Sequence, residues 1–173
     1  MVKTTLCSCI LSFMVLLPGC GGGGGTSNAV PLPVNTAIVV SAAIKPPLTR
    51  TSLPIKAIQV MFVLPPIATP ILDVDGSLHI GETGLKSLNP NGNIQTGSYN
   101  PATRAVQFIL LPNDIATTDL GTGDIARITY ETSPGAQLSA QDIVPVYTVS
   151  GPGTADISNE IVPSVRIVTY QKP

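Results

Sequence analysis

The feature that most restricts this chain is its punctuation. From Val34 onward turn signals recur about every eight to twelve residues: Pro46-Pro47, Pro65-Pro66, Asp75-Gly76, Asn89-Pro90-Asn91-Gly92, Asn100-Pro101, Pro112-Asn113-Asp114, Gly121-Thr122-Gly123, Ser133-Pro134-Gly135 and Gly151-Pro152-Gly153. Proline removes a backbone donor and glycine reaches positive φ without strain, so both break regular structure at these points. The intervening runs are short and rich in β-branched residues. That spacing predicts an all-β fold, a sandwich or barrel. No segment carries a helical stripe, and only Ser139-Ala140-Gln141-Asp142 is expected to make one short turn.

Period-two alternation assigns faces. Val106, Phe108 and Leu110 share one side of the run 104–111, with Arg104 at its end, while Ala105, Gln107 and Ile109 share the other. In 124–132, Ala126, Ile128 and Tyr130 oppose Arg127, Thr129 and Glu131. One face of each strand is therefore expected to be wet. The run Ile55 to Leu64 is apolar on both sides, through Ile58, Val60, Phe62 and Leu64 on one and Met61 and Val63 on the other, and reads as a central strand covered on both faces. Residues 93–99 and 104–111 are expected to form a hairpin through Asn100-Pro101-Ala102-Thr103.

The N-terminus has a different character. Lys3 is followed by an apolar run from Leu6 to Leu17. At about twelve residues it is too short to span a bilayer as a helix, but it suits a signal peptide. Leu17-Pro18-Gly19-Cys20 comes next and resembles the bacterial lipobox. The resemblance implies cleavage before Cys20 and acylation of its thiol, so that membrane lipid is the first partner. Two or three acyl chains, at about 0.8 kcal/mol per buried CH₂, hold a protein stably where one does not. Gly21 beside the lipidated cysteine points to the outer membrane rather than retention at the inner one. The expected organisation is a leader over 1–19, a lipidated Cys20 with a Gly/Pro-rich tether over 20–33, and one domain over 34–173. A tether of this composition reaches roughly 20 Å, which lifts the domain off the headgroups.

Composition narrows the function. The three cysteines are Cys7, Cys9 and Cys20. After cleavage only the lipid carrier remains, so neither a disulfide nor a thiolate zinc site is available. Loss of Lys3 with the leader leaves eight basic against ten acidic residues, a net charge of −2, where a nucleic-acid binder is expected to be basic. Charged residues make up 11% of the chain and mean hydropathy is +0.36, so much of the surface must be uncharged polar or aliphatic.

The order of elements from Ala37 on, ending in Gly121-Thr122-Gly123-Asp124-Ile125-Ala126-Arg127-Ile128-Thr129-Tyr130 and then Gly135 to Asp142-Ile143, resembles the cohesin domain and related carbohydrate-binding modules. Gly121, Gly123, Ile125, Ile128, Tyr130, Gly135, Asp142 and Ile143 carry the match. Leu64-Pro65-Pro66 stands where the family has Tyr-Asp-Pro, so no recognition residue is carried across. The resemblance implies a jelly-roll sandwich of about nine strands and a non-catalytic binding role, either protein docking (dockerin-like or with a copy of itself) or polysaccharide binding.

Catalytic and cofactor chemistry finds little support. His79 is the single histidine, so neither a His-based metal cluster nor a triad with a second imidazole can be assembled. Gly121-Thr122-Gly123 begins a G-x-G-x-x-A match, but a strand follows it where a dinucleotide site needs a helix. Asp73 and Asp75 lack the Gly and Glu spacing of a calcium loop; Asp114, Asp119 and Asp124 are a looser candidate, weighed against their commoner use in capping turns. The expectation is no enzyme, cofactor or metal. Gln107, Ile109, Arg127, Thr129 and Glu131 become one mixed polar and aliphatic binding patch if their strands are neighbours. Phe62, Phe108 and Tyr130 fall on core faces, which leaves Tyr99, Tyr147 and Tyr170 as candidate glycan contacts.

Overall fold

The computed structural model describes residues 34–46, 52–133 and 135–171. The expected leader, Cys20 and the tether lie outside the described residues. Among the described residues there are nine strands: β1 (Val34–Ile44), β2 (Ala57–Val63), β3 (Ala68–Pro70), β4 (Leu85–Ser87), β5 (Gly92–Asn100), β6 (Ala105–Pro112), β7 (Gly123–Thr132), β8 (Val146–Ser150) and β9 (Ile161–Gln171). They form two antiparallel sheets. Sheet A runs β3-β7-β1-β9, with β4 also paired to β7, and sheet B runs β5-β6-β2-β8. The chain crosses between sheets after β1, β2, β4, β6, β7 and β8, the winding of a jelly roll. The β5–β6 hairpin turns where Asn100-Pro101 stands, and the Asn100 carboxamide accepts from the Ala102 and Thr103 amides.

Alternation places the core between the sheets. Ile38 and Val40 of β1 and Ile128 and Tyr130 of β7 face Ile58, Val60 and Phe62 of β2 and Val106, Phe108 and Leu110 of β6, none more than 4% exposed. Burial of each such aliphatic or phenyl side chain is worth roughly 1.5–3 kcal/mol. The residues of the core cluster all fall between Ile38 and Ile161. The domain therefore carries its own stabilising contacts.

Three local features position the surfaces. Opposite Val40 and Ser41 of β1 stand Ala126 and Asp124 of β7, so Ile125 is an extra residue, a bulge that keeps Ile125 and Ala126 both buried and sets Asp124 beside Ser41. The segment between β3 and β4 is tied along β7 by Ile71 N–H to Thr129 O at 3.3 Å and Thr129 N–H to Gly84 O at 3.0 Å. Gly84 is required there because a Cβ would stand 2.1 Å from the His79 carbonyl oxygen. Arg104 lies in the turn rather than in β6, with φ 59°, and its guanidinium donates to the carbonyls of Leu64, Pro65 and Ala68.

One expectation about faces is corrected. β2 is central in sheet B, but its second side is not covered: Met61 is 42% and Val63 55% exposed. A double-apolar alternation marks two low-polarity faces without saying that anything lies on the second.

Candidate functional site

The outer face of sheet A is closed by its own side chains. Arg166 of β9 donates from both terminal nitrogens to the two Asp124 oxygens, each at 2.6 Å, and Ser41 donates to Asp124 at 2.7 Å. These donors hold the Asp124 carboxyl down at about 2. Arg127 donates to the Glu82 backbone carbonyl at 2.8 Å and lies 4.0 Å from the centroid of the Tyr170 ring. Glu82 is also paired with Lys86. Tyr170 sits opposite Asn35 on β1, yet its hydroxyl meets that of Thr129, which stands opposite Ala37. The ring therefore lies diagonally across β1. Beneath these long side chains the small residues of the central strand are covered, Ala37 at 0% and Val39 at 2% exposure.

The five residues expected to form one patch are divided between the two sheets. Arg127, Thr129 and Glu131 do turn away from the core, as alternation requires, but they belong to β7 in sheet A. Gln107 and Ile109 belong to β6 in sheet B, on the opposite side of the sandwich. The connection from β6 to β7 crosses between layers, and strand periodicity specifies a face without specifying a neighbour. Thr129 is also not wet: it is 3% exposed under the Tyr170 side chain.

Sheet B presents a different surface. Met61 stands between Gln107 and Val146, Gln59 between Ile109 and Thr148, and Val63 beside Ala105. A groove of about 290 Å³ at one end is lined by Met61, Phe62, Val63, Asp142, Val144 and Val146. Val144 is 74% and Val146 55% exposed, which with Met61 and Val63 makes four accessible aliphatic side chains in one place. Strand register turns Phe62, Phe108, Tyr99 and Tyr147 to the inner side, so no described aromatic ring stands on this face. Val144 and Val146 were not among the expected site residues. Their signal was present, as Val144, Val146 and Thr148 alternate with residues of the opposite face.

The candidate glycan contacts do not make a platform. Tyr147 is 8% exposed and donates its hydroxyl to Ser41 O at 3.0 Å, and burial pushes its phenol well above the usual range. Tyr99 packs half-buried against the core from sheet B, and Tyr170 is stacked under Arg127 on sheet A. The three rings thus occupy three separate environments.

The acidic candidates are likewise dispersed. Asp75 accepts from Ser77, Asp114 from Ala116 and Thr117, and Asp119 lies 3.0 Å from Lys56. Asp124 is committed to Arg166. Among the described residues no group of three His, Cys, Asp or Glu side chains is placed to hold a metal ion. His79 pairs with Asp73 at 2.7 Å on the surface. A hollow of about 460 Å³ lies between the 113–118 and 151–154 loops, where Lys56 donates to the carbonyls of Ile115 and Thr118 and so braces the loop instead of standing free. Compared with known proteins, the chain matches no family model, no curated protein and no solved structure, so its surfaces carry the functional argument.

Proposed function

We propose that the chain is a lipid-anchored, non-catalytic binding module of the cell envelope, a cohesin-like sandwich that docks a protein through the outer face of sheet B. One observation carries the docking surface: Met61, Val63, Val144 and Val146 are exposed together around a groove that Asp142 also lines, on a sheet face whose other outward side chains, such as Gln59, Gln107 and Thr148, are neutral and polar. An apolar cluster with neutral polar neighbours along the strands and a single carboxylate, Asp142, beside it matches the composition of protein interfaces, where charge is depleted at the centre. A sugar reader instead needs exposed rings. Display at the outer membrane rests on the Leu17 to Cys20 motif and the glycine-rich tether.

Two substitutions test the two halves of this reading. Cys20→Ala abolishes incorporation of labelled palmitate; continued labelling refutes the anchor. Ile109→Glu places a charge on the docking face and weakens capture of the envelope partner by about 1–3 kcal/mol while leaving the fold intact. Retention on soluble glucans that disappears on changing Tyr99 or Tyr170, with no protein captured, would establish the polysaccharide-binding alternative instead.

A further inference from the structure

The edges of the two sheets are not alike. In sheet B the outer edge of β8 is capped by the chain that follows it: Ile157 N–H donates to Val149 O, Gly151 N–H to Ala155 O, and the Ser158 hydroxyl accepts from Val149 N–H. β5, the other edge, is bulged near Gln95, and half of its other residues are Asn, Thr or Ser. In sheet A, β3 and β4 are three residues each. β9 is eleven residues long, and among the described residues it pairs on one side only, with β1.

Which of its backbone groups are free follows from the register. Lys45 N–H donates to Glu160 O, and the β1–β9 ladder continues this pairing from Ile44 opposite Ile161. In an antiparallel ladder hydrogen-bonded pairs alternate. Val162, Ser164, Arg166, Val168 and Tyr170 therefore turn their amides toward β1, while Pro163, Val165, Ile167 and Thr169 turn theirs outward. The proline agrees with this assignment, because it occupies a position where β1 asks for no donor. It also blunts that end of the edge. Among the described residues no backbone partner takes the amides of Val165, Ile167 and Thr169.

We infer that this edge pairs with the same edge of a second copy, antiparallel about a two-fold axis through Ile167. That register sets Val165 opposite the partner's Thr169 and Ile167 opposite the partner's Ile167. It leaves Pro163 outside the doubly bonded stretch, whereas a centre at Val165 would set Pro163 against Ile167 and lose bonds on both sides. Edge strands are usually protected by charge. Here the one charged side chain of the stretch, Arg166, is neutralised by Asp124 on its own sheet, so two copies meet without repulsion between bare charges. On the inner side, Ile167 and Thr169 line a groove of about 300 Å³ with Tyr130 and Leu138, and this register sets the partner's Val165 beside Thr169.

Such an edge contact is smaller than the roughly 1,600 Å² of a standard interface, so it is reversible and concentration-dependent. The test is sedimentation equilibrium of the chain from Leu32 onward, which contains the whole core, from micromolar to millimolar concentration. The wild type sediments as a monomer–dimer equilibrium. Thr169→Pro removes one outward amide per copy while sparing the β1 ladder, and raises the dimer dissociation constant about tenfold or more; Met61→Glu on the other sheet leaves it unchanged. Register has its own readout, since the segment from Leu32 onward lacks cysteine. Ile167→Cys brings two Cα atoms to about 5.5 Å, within disulfide range, and links on oxidation. Thr169→Cys sets them about 13 Å apart along the strands and does not. A monomer at every concentration, a Thr169→Pro dimer as tight as wild type, or Thr169→Cys linking as readily as Ile167→Cys overturns the inference.

Discussion

The two outer faces of the sandwich obey the same alternation and end as opposite kinds of surface. On sheet A the middle strand offers small residues, Ala37 and Val39, between neighbours that carry Arg127, Arg166 and Tyr170. The long side chains fold over the small ones and satisfy one another. On sheet B the middle strand offers the longer side chains, Gln59 and Met61, between Ile109, Gln107, Thr148 and Val146, and none of these is charged. None of them can cover the others. A sheet face is closed or open according to the difference in length and charge between adjacent strands, a property of three strands together.

Removing the cover from sheet A has the largest expected effect. Arg127→Ala deletes the charge-assisted bond to Glu82 O, the contact with the Tyr170 ring and the lid over Val39, and costs about 2 kcal/mol, or roughly 8 °C in Tm for a domain of this size. Met61→Glu on sheet B, despite placing a charge where an apolar side chain stood, changes stability by less than about 0.5 kcal/mol because the site is already wet. Thermal unfolding of the two variants side by side checks the contrast. Equal losses would show that the faces are equivalent.

Much of this organisation is legible in the chain and some is not, for reasons that particular residues make plain. The core sides of β6 and β7 can be read directly, since Val106, Phe108 and Leu110, and Ile128 and Tyr130, recur at period two and are buried. The partition into sheets cannot, because β6 and β7 are separated by a crossing whose direction leaves no trace in their alternation. Thr129 reads as solvent-facing, and what buries it is a tyrosine 41 positions away. Tyr147 reads as available while its strand is taken alone; once β8 is set against β2, it must point inward beside Val149. Pair register, unlike side, is a long-range property.

A smaller effect isolates that long-range cover. Tyr170→Phe keeps the ring under Arg127 and removes the hydroxyl that meets Thr129, leaving a buried threonine hydroxyl without its partner, and lowers stability by about 1 kcal/mol. Thr129→Val in the same background recovers most of the loss, because both polar groups are then gone. A double variant no better than Tyr170→Phe alone would remove the hydroxyl pair from the account of how the face is closed.

The smallest expected effect is electrostatic. Asp124 is held at about 2 by Arg166 and Ser41 against 3.8 for a free aspartate, so its contribution is complete above about pH 4 and is lost as pH falls through about 2. Arg166 and Asp124 are 51% and 40% exposed, and solvent screening keeps the contribution below about 1 kcal/mol. Asp124→Asn should therefore flatten the fall of Tm between about pH 4 and 2 and leave the remainder of the profile unchanged. A mutant whose profile matches the wild type throughout this window would place the bridge outside the stabilising network.

We propose that another protein sits on sheet B's outer face and not on sheet A's. Site-specific photo-crosslinking in cells measures this most directly, with a photoreactive residue at Gln107 or Val146 on one face and at Lys86 or Glu131 on the other. A discrete protein adduct is expected from Gln107 and Val146, lost when Ile109→Glu is added, and none from Lys86 or Glu131. Adducts from Lys86 and Glu131 with none from Gln107 and Val146 would contradict it.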